Sequence, residues 1–453
     1  MYLYRELLAR AATDKPVRVG LVGAGKFGSM FLSQVPTTPG LVVDTIVDLD
    51  PDRAQENCRQ IGWTDAAIKA TRFTDDIESM LLAGSVDVMV EATGNPLAGL
   101  RHARLAIKQG THVVMVNVEA DVLGGVLLAI EAAQAGVTYS LAYGDQPALT
   151  VELVEWARGC GFKVVAAGKG TRYLPAYHAS TPDTVWDHYG LTAAQAADAG
   201  MNSQMFNSFL DGTKSALEMA AISNATGLDV PDNGLQFPPA GMDELAQVLR
   251  PVSAGGVLSG EGQVEVVSSL HRDGSDVYKD LRWGVYVVIE APNDYSAACF
   301  RQYGMNTDDT GRYSAMYKPF HLIGLELNVS ILSAALLNKA TGSTQDFNAD
   351  VVTTAKRDLK AGETLDGEGG YTVWGKLHSA NDSLARGALP IGLASGVTLK
   401  RDIKANEAIA MQDVTLDETD EAVRMRRTME QQFGDAGNRS DSCLLYTSDA
   451  ADE

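Results

Sequence analysis

The sequence predicts an α/β protein whose amino-terminal part is a doubly wound parallel sheet. Apolar, β-branched runs alternate with helix-compatible stretches up to residue 143, as in successive strand–helix–strand units. The first run, Val17–Val22, ends in a glycine-rich turn, and the next run is followed by Asp48. A chain of 453 residues with 45% hydrophobic residues can hold roughly two to three domains with substantial cores.

The elements of this first domain, residues 1–146, follow in chain order. Because such sheets are buried on both faces, their strands are expected to be nearly continuous apolar runs. Strands are predicted at Val17–Val22, Val42–Val47, Val86–Val90, His112–Val116 and Val137–Ala142, and helices at Ser29–Val35, Arg53–Gln60, Leu97–Gln109 and Gly124–Ala135.

The turn after the first strand reads Gly23-Ala-Gly25-Lys-Phe-Gly28. Gly23 permits the sharp turn into a helix, Gly25 lets the backbone approach a pyrophosphate, and Gly28 lets the helix pack closely on the strand. The N–H groups at the helix start can bind the pyrophosphate. This pattern predicts a Rossmann domain that binds a nicotinamide dinucleotide. The predicted cofactor-binding residues are Gly23, Gly25, Lys26, Phe27, Gly28 and Asp48, with Thr93, Gly94 and Asn117 at the ends of later strands.

The choice between NAD and NADP depends on the end of the second strand. Asp48 can accept hydrogen bonds from the adenosine ribose hydroxyls and repel a 2′-phosphate, which favours NAD. Arg53, five residues later, could neutralise a 2′-phosphate. Both NADPH and NADH therefore remain open.

Composition excludes several classes of partner. The net charge of −21 argues against a general nucleic-acid or anionic-membrane partner, because either needs a basic face. No apolar run reaches the roughly 20 residues that a membrane helix needs. The four cysteines have no metal-type spacing, which favours a cytoplasmic protein without a disulfide framework.

A second, α+β domain is predicted over residues 147–345, for substrate binding and dimerisation. The segment His321–Leu337 is predicted to be a long helix that closes back onto the first domain. The other predicted helices are Val151–Arg158 and Met205–Ala225, and the predicted strands are Phe162–Ala167, Val264–Ser268 and Val285–Ile289.

The third segment contains an internal repeat, in which Lys356–Glu363 recurs as Lys400–Glu407. Gly362 and Asn406 occupy the same turn position, and both residue types tolerate positive φ. Residues 350–418 resemble the SAF module, a small β-rich domain of the β-clip type. Residues 438–453 have no periodicity, resemble translated adapter sequence and are expected to be a non-native tail.

Asp211 and Lys214 are the first catalytic candidates. They are three residues apart in a predicted helix, so both should project from one face at the helix start. A lysine beside a carboxylate can deliver a proton to a reducible carbonyl or hold a substrate oxyanion. The alternative is a surface ion pair, usually worth well under ~1 kcal/mol. Both interpretations remain open.

Two segments of the first domain, Ala92–Pro96 and Val113–Asn117, resemble the homoserine dehydrogenase superfamily. That resemblance implies an Asp and a Lys on a second-domain helix that bind substrate and relay a proton, and Asp211 and Lys214 match those positions. The spacing is tighter than in true homoserine dehydrogenases, which also carry Asn-Lys after the fifth strand, whereas Asn117 is followed here by Val-Glu.

Residues 15–418 more closely resemble the DXR-like (DRL) proteins. The resemblance implies NADPH-dependent reduction and isomerisation of 1-deoxy-D-xylulose 5-phosphate to 2-C-methyl-D-erythritol 4-phosphate, a precursor in isoprenoid synthesis. The matching segments are Ala142–Ala148, Ala167–Thr171, Phe209–Lys214 and Met316–His321.

That reaction needs a phosphate anchor, a polariser for the hydroxyketone oxygens and a hydride donor. Lys169, Arg172, Lys318 and His321 lie in loops bounded by Gly and Pro, where cations can converge on a phosphate, although each could instead be a solvated loop charge. Asp145, in Gly-Asp-Gln-Pro, could equally be a turn-forming aspartate. Lys169 is a further catalytic candidate; Arg172, Lys318 and His321 are the candidates for the substrate phosphate, and Asp145, Glu119 and Glu218 for Mg or Mn.

The resulting hypothesis is a cytoplasmic, homodimeric NAD(P)H-dependent oxidoreductase acting on a small phosphorylated hydroxyketone. Two alternatives remain open. One is a dehydrogenase of homoserine or of another hydroxy acid or polyol. The other is a dinucleotide-sensing regulatory protein with the SAF module as its interaction platform.

Overall fold

A computed structural model describes residues 3–198 and 201–434, so the tail predicted at 438–453 lies outside the described residues. The helices are α1 (Leu3–Ala12), α2 (Lys26–Gln34), α3 (Pro51–Gln60), α4 (Asp65–Ala70), α5 (Ile77–Leu82), α6 (Pro96–Lys108), α7 (Val118–Gln134), α8 (Gln146–Gly159), α9 (Val185–Tyr189), α10 (Ala193–Asp198), α11 (Ser203–Leu210), α12 (Thr213–Thr226), α13 (Leu245–Val248), α14 (Asp294–Gln302), α15 (Asn328–Leu337), α16 (Ala380–Arg386) and α17 (Glu421–Phe433). The strands are β1 (Val17–Val22), β2 (Leu41–Val47), β3 (Arg72–Thr74), β4 (Val88–Glu91), β5 (His112–Met115), β6 (Tyr139–Leu141), β7 (Lys163–Thr171), β8 (Gln263–Ser268), β9 (Val285–Glu290), β10 (Tyr313–Lys318), β11 (Ala349–Ala355), β12 (Thr364–Asp366), β13 (Val373–Ser379), β14 (Ser395–Leu399) and β15 (Val414–Thr415).

The first of two compact units comprises Met1–Glu152 and His321–Thr344. Its sheet has the order β3-β2-β1-β4-β5-β6, and every neighbouring pair is parallel. The predicted doubly wound Rossmann sheet is thus confirmed. The edge strand β3 was not predicted, because its three residues, Arg-Phe-Thr, are too few and too polar to stand out.

The returning segment of the first unit is partly helical. The helix predicted at His321–Leu337 forms only over Asn328–Leu337. Leu327 and Ile331 are fully buried and share a core cluster with Val19 and Val90 of the central strands. The prediction that this segment closes onto the Rossmann domain is therefore confirmed.

The second unit comprises Leu153–Phe320 and Gln345–Glu453. Its larger sheet has the order β10-β9-β7-β8, with β9 antiparallel to both neighbours and β7 parallel to β8. Helix α12 packs against β8, β11 and β13. Every residue of α12 is buried except Lys214, which is half-buried, so this helix belongs to the core of the unit.

The carboxyl-terminal segment of the second unit is β-rich, as predicted, with the pairs β11–β13 and β12-β14-β15. The two repeat copies bind each other reciprocally: the Leu359 and Ile403 backbones exchange N–H···O bonds of 2.9 and 3.0 Å. Lys360 pairs with Asp402 at 2.8 Å, and the equivalent pair in the other copy has a separation of 2.9 Å. Positive φ at Gly362 (88°) and Asn406 (66°) confirms the shared turn position.

No helix within residues 3–198 and 201–434 combines the length and the apolarity needed to cross a membrane.

Candidate active site

The glycine turn of the first unit has the geometry that its sequence predicts. A Cβ at Gly23, whose φ is +94°, would lie 2.7 Å from the Ala92 carbonyl oxygen, and one at Gly28 would lie 2.6 Å from the Gly23 carbonyl oxygen. A Cβ at Gly25 would meet no atom within 4 Å. Two glycines are therefore required by the packing of the chain itself, whereas Gly25 borders open space at the start of α2, where no side chain caps the helix.

Asp48 holds this turn and also binds a cation. Its Oδ2 accepts a 2.8 Å hydrogen bond from the Ala24 N–H, and its Oδ1 accepts bonds from the Asp50 N–H at 3.0 Å and the Arg53 Nη2 at 3.2 Å. The Arg53 side chain is 63% exposed. A carboxylate that suits the ribose hydroxyls of NAD and a guanidinium that suits the 2′-phosphate of NADP thus lie together where the adenosine ribose is expected.

A buried acid organises the loop after β4. Glu91 is fully buried. Its Oε1 accepts a 2.5 Å hydrogen bond from the Thr93 hydroxyl and lies 3.3 Å from the Nδ1 of His102. Its Oε2 has no hydrogen-bond partner among the described residues. Glu91 was not among the predicted site residues, although an acid at a strand end just before Thr93 and Gly94 is a signal that could have found it.

Asn117 has a structural role that accounts for its burial. It caps α7, because its Oδ1 accepts a 3.1 Å hydrogen bond from the Ala120 N–H. Its Nδ2 donates to the Asn95 carbonyl at 2.9 Å, which ties together the loops that follow β4 and β5. Asn117 thus shapes the edge of the sheet where the predicted cofactor residues lie.

The expectation that Asp211 and Lys214 share one helix face is wrong. Helix α11 ends at Leu210, Gly212 adopts a φ of +92°, and α12 begins at Thr213. Asp211 is fully buried, and its Oδ2 lies 2.8 Å from the Nζ of Lys356. Burial raises the pKa of Asp211, and the positive charge of Lys356 opposes this rise.

Lys356 belongs to the first repeat copy and was not predicted to have a role at this site. Its ammonium also donates to the carbonyl oxygens of Ser180 and Gly370, each at 2.7 Å. The side chain is 2% exposed. The carboxyl-terminal segment therefore supplies a buried cation to the turn that precedes Lys214.

A hydrogen-bonded chain of side chains reaches the same turn. The Nδ1 of His178 lies 2.7 Å from the Asp211 carbonyl oxygen, which can only accept, so Nδ1 is the protonated nitrogen. The Nε2 then accepts a 2.9 Å bond from the Tyr173 hydroxyl. Burial lowers the pKa of His178, and the ring stacks on Trp374 at 4.0 Å. His178 therefore links the Tyr173 hydroxyl to the backbone of the turn at Asp211.

A strained loop packs against this chain of side chains. Phe237 has a φ of +51° and stacks on the Tyr173 ring at 3.9 Å. The buried carboxylate of Glu265 accepts bonds from the N–H groups of Gln236, at 3.1 Å, and Phe237, at 3.3 Å. Burial raises the pKa of Glu265 to about 7, and these hydrogen bonds oppose the rise. Positive φ at a bulky residue has a cost that the surrounding contacts must offset.

Lys169 and Glu218 form a buried ion pair in the second unit. The Lys169 ammonium on β7 binds the Glu218 carboxylate on α12, and the two side chains are 5% and 2% exposed. The neighbouring Gly168 and Gly170 leave no room for a Cβ, because backbone oxygens of adjacent segments lie 1.9 Å from that position. The structure thus joins a residue predicted as catalytic with one predicted as a metal ligand.

The candidate phosphate residues divide between the two units. The register places both Lys169 and Lys318 opposite Val285 of β9. Residues directly opposite each other on antiparallel strands share a face, so both lysines extend from the same face at the same end of the sheet. Arg172 follows β7 at this end, whereas His321 belongs to the first unit.

The metal candidates do not fit a divalent-cation site. Within the described ranges, no group of three or more His, Cys, Asp or Glu residues could hold a metal ion. Glu218 is already paired with Lys169, and the Oδ1 of Asp145 accepts a 2.8 Å bond from the Gln146 N–H. Glu119 is buried in the first turn of α7.

Comparison with known families assigns the two domains. Residues 17–115 match the Gfo/Idh/MocA model, described as oxidoreductase family, NAD-binding Rossmann fold. Residues 144–327 match the model described as oxidoreductase DRL, catalytic domain. By these two domains the chain is an NAD(P)-dependent oxidoreductase. This confirms the predicted enzyme class and the nicotinamide cofactor.

Three solved structures that resemble the chain are distant from it in sequence. The WlbA dehydrogenase from Bordetella pertussis is 21% identical, with a TM-score of 0.27 over 36% of this chain and 49% of its own. The myo-inositol dehydrogenase from Lactobacillus casei is 14% identical, with a TM-score of 0.29 over 38% and 50%. Dihydrodipicolinate reductase from Paenisporosarcina sp. TG-14 is 11% identical, with a TM-score of 0.34 over 72% and 97%. The chain spans about half the length of the first two. No curated protein matches it.

Proposed function

We propose that this oxidoreductase reduces and isomerises 1-deoxy-D-xylulose 5-phosphate to 2-C-methyl-D-erythritol 4-phosphate with NADPH, or with NADH in its place. The observation that carries the proposal is the match of residues 144–327 to the DRL catalytic domain. The conversion rearranges the carbon chain and adds one hydride and one proton. The hydride comes from the nicotinamide, so the protein must supply a proton donor and an anchor for the phosphate.

We assign the proton donor to Lys169. Its ammonium is buried and bound to the Glu218 carboxylate, which holds the side chain in one position on β7. A lysine ammonium can deliver a proton to the oxygen of a carbonyl that is being reduced. Lys214, the one residue of α12 that is not buried, is the second candidate.

The alternative of a homoserine dehydrogenase loses its main support. It depended on Asp211 binding substrate beside Lys214, but the Asp211 carboxylate is buried and bound to Lys356. A substrate amine could bind Asp211 only after that buried ion pair had broken. This pairing counts against an amino-acid substrate bound through Asp211.

The test is a substrate comparison that follows the absorbance of the reduced nicotinamide. 1-Deoxy-D-xylulose 5-phosphate is offered beside homoserine and beside the unphosphorylated 1-deoxy-D-xylulose, with NADPH and with NADH. We expect turnover of the phosphorylated ketose, with 2-C-methyl-D-erythritol 4-phosphate identified as the product by NMR. Dinucleotide binding without turnover of this ketose would overturn the proposed reaction.

A further inference from the structure

Two arginines of the second unit have buried nitrogens without an acceptor. The Nε atoms of Arg172 and Arg282 are both buried, and neither makes a hydrogen bond to the described residues. A buried N–H without a partner costs about 1–3 kcal/mol, and more in a charged group. Each Nε–H therefore lacks an acceptor among the described residues, and a ligand oxygen could supply one.

The sheet brings these arginines to the same end. Arg172 directly follows β7, and Arg282 precedes β9, its antiparallel neighbour. The Gly170 N–H donates to the Gly284 carbonyl at 3.0 Å, and a Cβ on Gly170 would lie 2.9 Å from the Arg282 backbone nitrogen. Lys318, at the end of β10, lies opposite Val285 at this same end.

The nearby acid compensates this charge only weakly. Asp280 lies 3.8 Å from the Arg282 Nε, beyond hydrogen-bond distance, and its Oδ1 instead accepts a 2.8 Å bond from the Arg282 backbone N–H. Both guanidinium charges also act on Tyr189: burial raises the pKa of its phenol to about 12, and Arg172 and Arg282 oppose that rise. In a chain of net charge −21, this is a local concentration of positive charge.

We propose that Arg172 and Arg282 together bind the phosphate group of the substrate. The geometry suits this ligand because a guanidinium presents a planar fork of donors that matches phosphate oxygens. Arg282 is a new assignment, since neither its own sequence context nor the family matches indicated it. The proposal rests on the proposed function for the identity of the substrate, but not for the binding of a phosphate.

The first experiment measures inorganic phosphate binding to the full chain by calorimetry. Saturating NADP⁺ occupies the pyrophosphate turn of the first unit, so that the remaining phosphate site is observed. We expect Arg282→Met and Arg172→Met each to weaken phosphate binding about ten- to a hundred-fold. The effects should be non-additive in the double variant, because both residues would hold one anion. Retained phosphate affinity in both folded single variants would overturn the proposal.

The matched control is Arg312→Met. Arg312 lies at the opposite end of the same sheet, just before β10, and pairs with Glu290 at 2.8 Å. The Arg312→Met variant should bind phosphate as tightly as the unmodified protein. A loss of phosphate affinity as large as in the Arg172 and Arg282 variants would show that the effect is not local to the proposed site. Should either methionine variant fail to fold, Arg172→Lys and Arg282→Lys keep the charge but lose the fork, and we expect each to weaken phosphate binding about tenfold or less.

A second experiment separates this proposal from the proposed function. With 1-deoxy-D-xylulose 5-phosphate, the arginine variants should raise KM far more than they lower kcat, because the phosphate is remote from the reacting carbonyl. Arginine-dependent phosphate binding without turnover of this substrate would retain the site and reject the reaction. Turnover with an unchanged KM in the variants would retain the reaction and reject the site.

Discussion

Replacing Lys169 with methionine should affect stability and catalysis by separable amounts. The variant keeps the aliphatic stem but leaves Glu218, 2% exposed, without its cation. Removing one partner of a buried ion pair typically costs about 3–5 kcal/mol of unfolding free energy. Loss of a general acid typically lowers the rate by about 10²–10⁴. A single variant therefore confounds the two effects.

The double variant Lys169→Met with Glu218→Gln separates them. A neutral glutamine no longer requires a counter-charge, so most of the lost stability should return, as measured by urea unfolding. The kcat should stay low, because no ammonium is restored. If turnover recovers together with stability, the pair is structural and the assignment of Lys169 fails.

The pair Arg250–Asp308 is the matched control for this experiment. It is another buried ion pair of the second unit, with a separation of 2.7 Å and side chains 6% and 0% exposed. Arg250→Met should cost a similar amount of stability. The folded fraction should nevertheless retain kcat, whereas a loss of turnover here would show that the assay reports unfolding alone.

Four further outcomes are expected. Gly25→Val should abolish dinucleotide binding, because the branched side chain would occupy the space that the pyrophosphate needs. The variant should still fold, since no protein atom lies within 4 Å of the new Cβ. Unchanged dinucleotide affinity by fluorescence titration would mean that the pyrophosphate does not bind at this turn. Asp48→Ala should raise the ratio of NADP to NAD affinity, and a constant ratio would mean that Asp48 does not contact the ribose. Lys214→Met should lower kcat with little change in cofactor affinity, while near-normal turnover would assign Lys214 a surface role. Burial raises the pKa of Glu265 from 4.5 to about 7. The protonated carboxyl therefore contributes to the free energy of unfolding in full below pH 4.5, and this contribution is lost as the pH rises through 7. Glu265→Gln should therefore flatten the dependence of unfolding free energy on pH over that window, and parallel pH profiles for the two proteins would contradict the assignment.

An element of this fold could be predicted where the residues that define it are close together in the sequence, and not where it depends on contacts between distant segments. Val17–Val22 could be located from sequence because a buried parallel strand is a continuous apolar run between turn residues. The break at Gly212 was missed although Asp211-Gly212 is a turn dipeptide, because helix-compatible residues on both sides favoured one continuous helix. Likewise, spacing identified Asp211 as a functional candidate but could not find Lys356, its partner from a distant segment.

The Lys169–Glu218 pair shows the same limit within the candidate site. Each residue could be singled out by its type and its surroundings, yet each was expected to have a different role. Their contact depends on how α12 crosses β7, which no local pattern encodes. Sequence thus identified these chemical groups, and the tertiary fold decides which of them act together.

The internal repeat has a consequence for how the two halves of the carboxyl-terminal segment can diverge. The two copies exchange backbone hydrogen bonds and form reciprocal Lys–Asp pairs. The lysines that begin the two copies, however, have different environments. Lys356 is buried against Asp211, whereas its counterpart Lys400 is exposed. The fold thus constrains two closely similar motifs unequally: replacing Lys356 would leave the buried Asp211 without its cation, whereas replacing Lys400 would change only an exposed side chain.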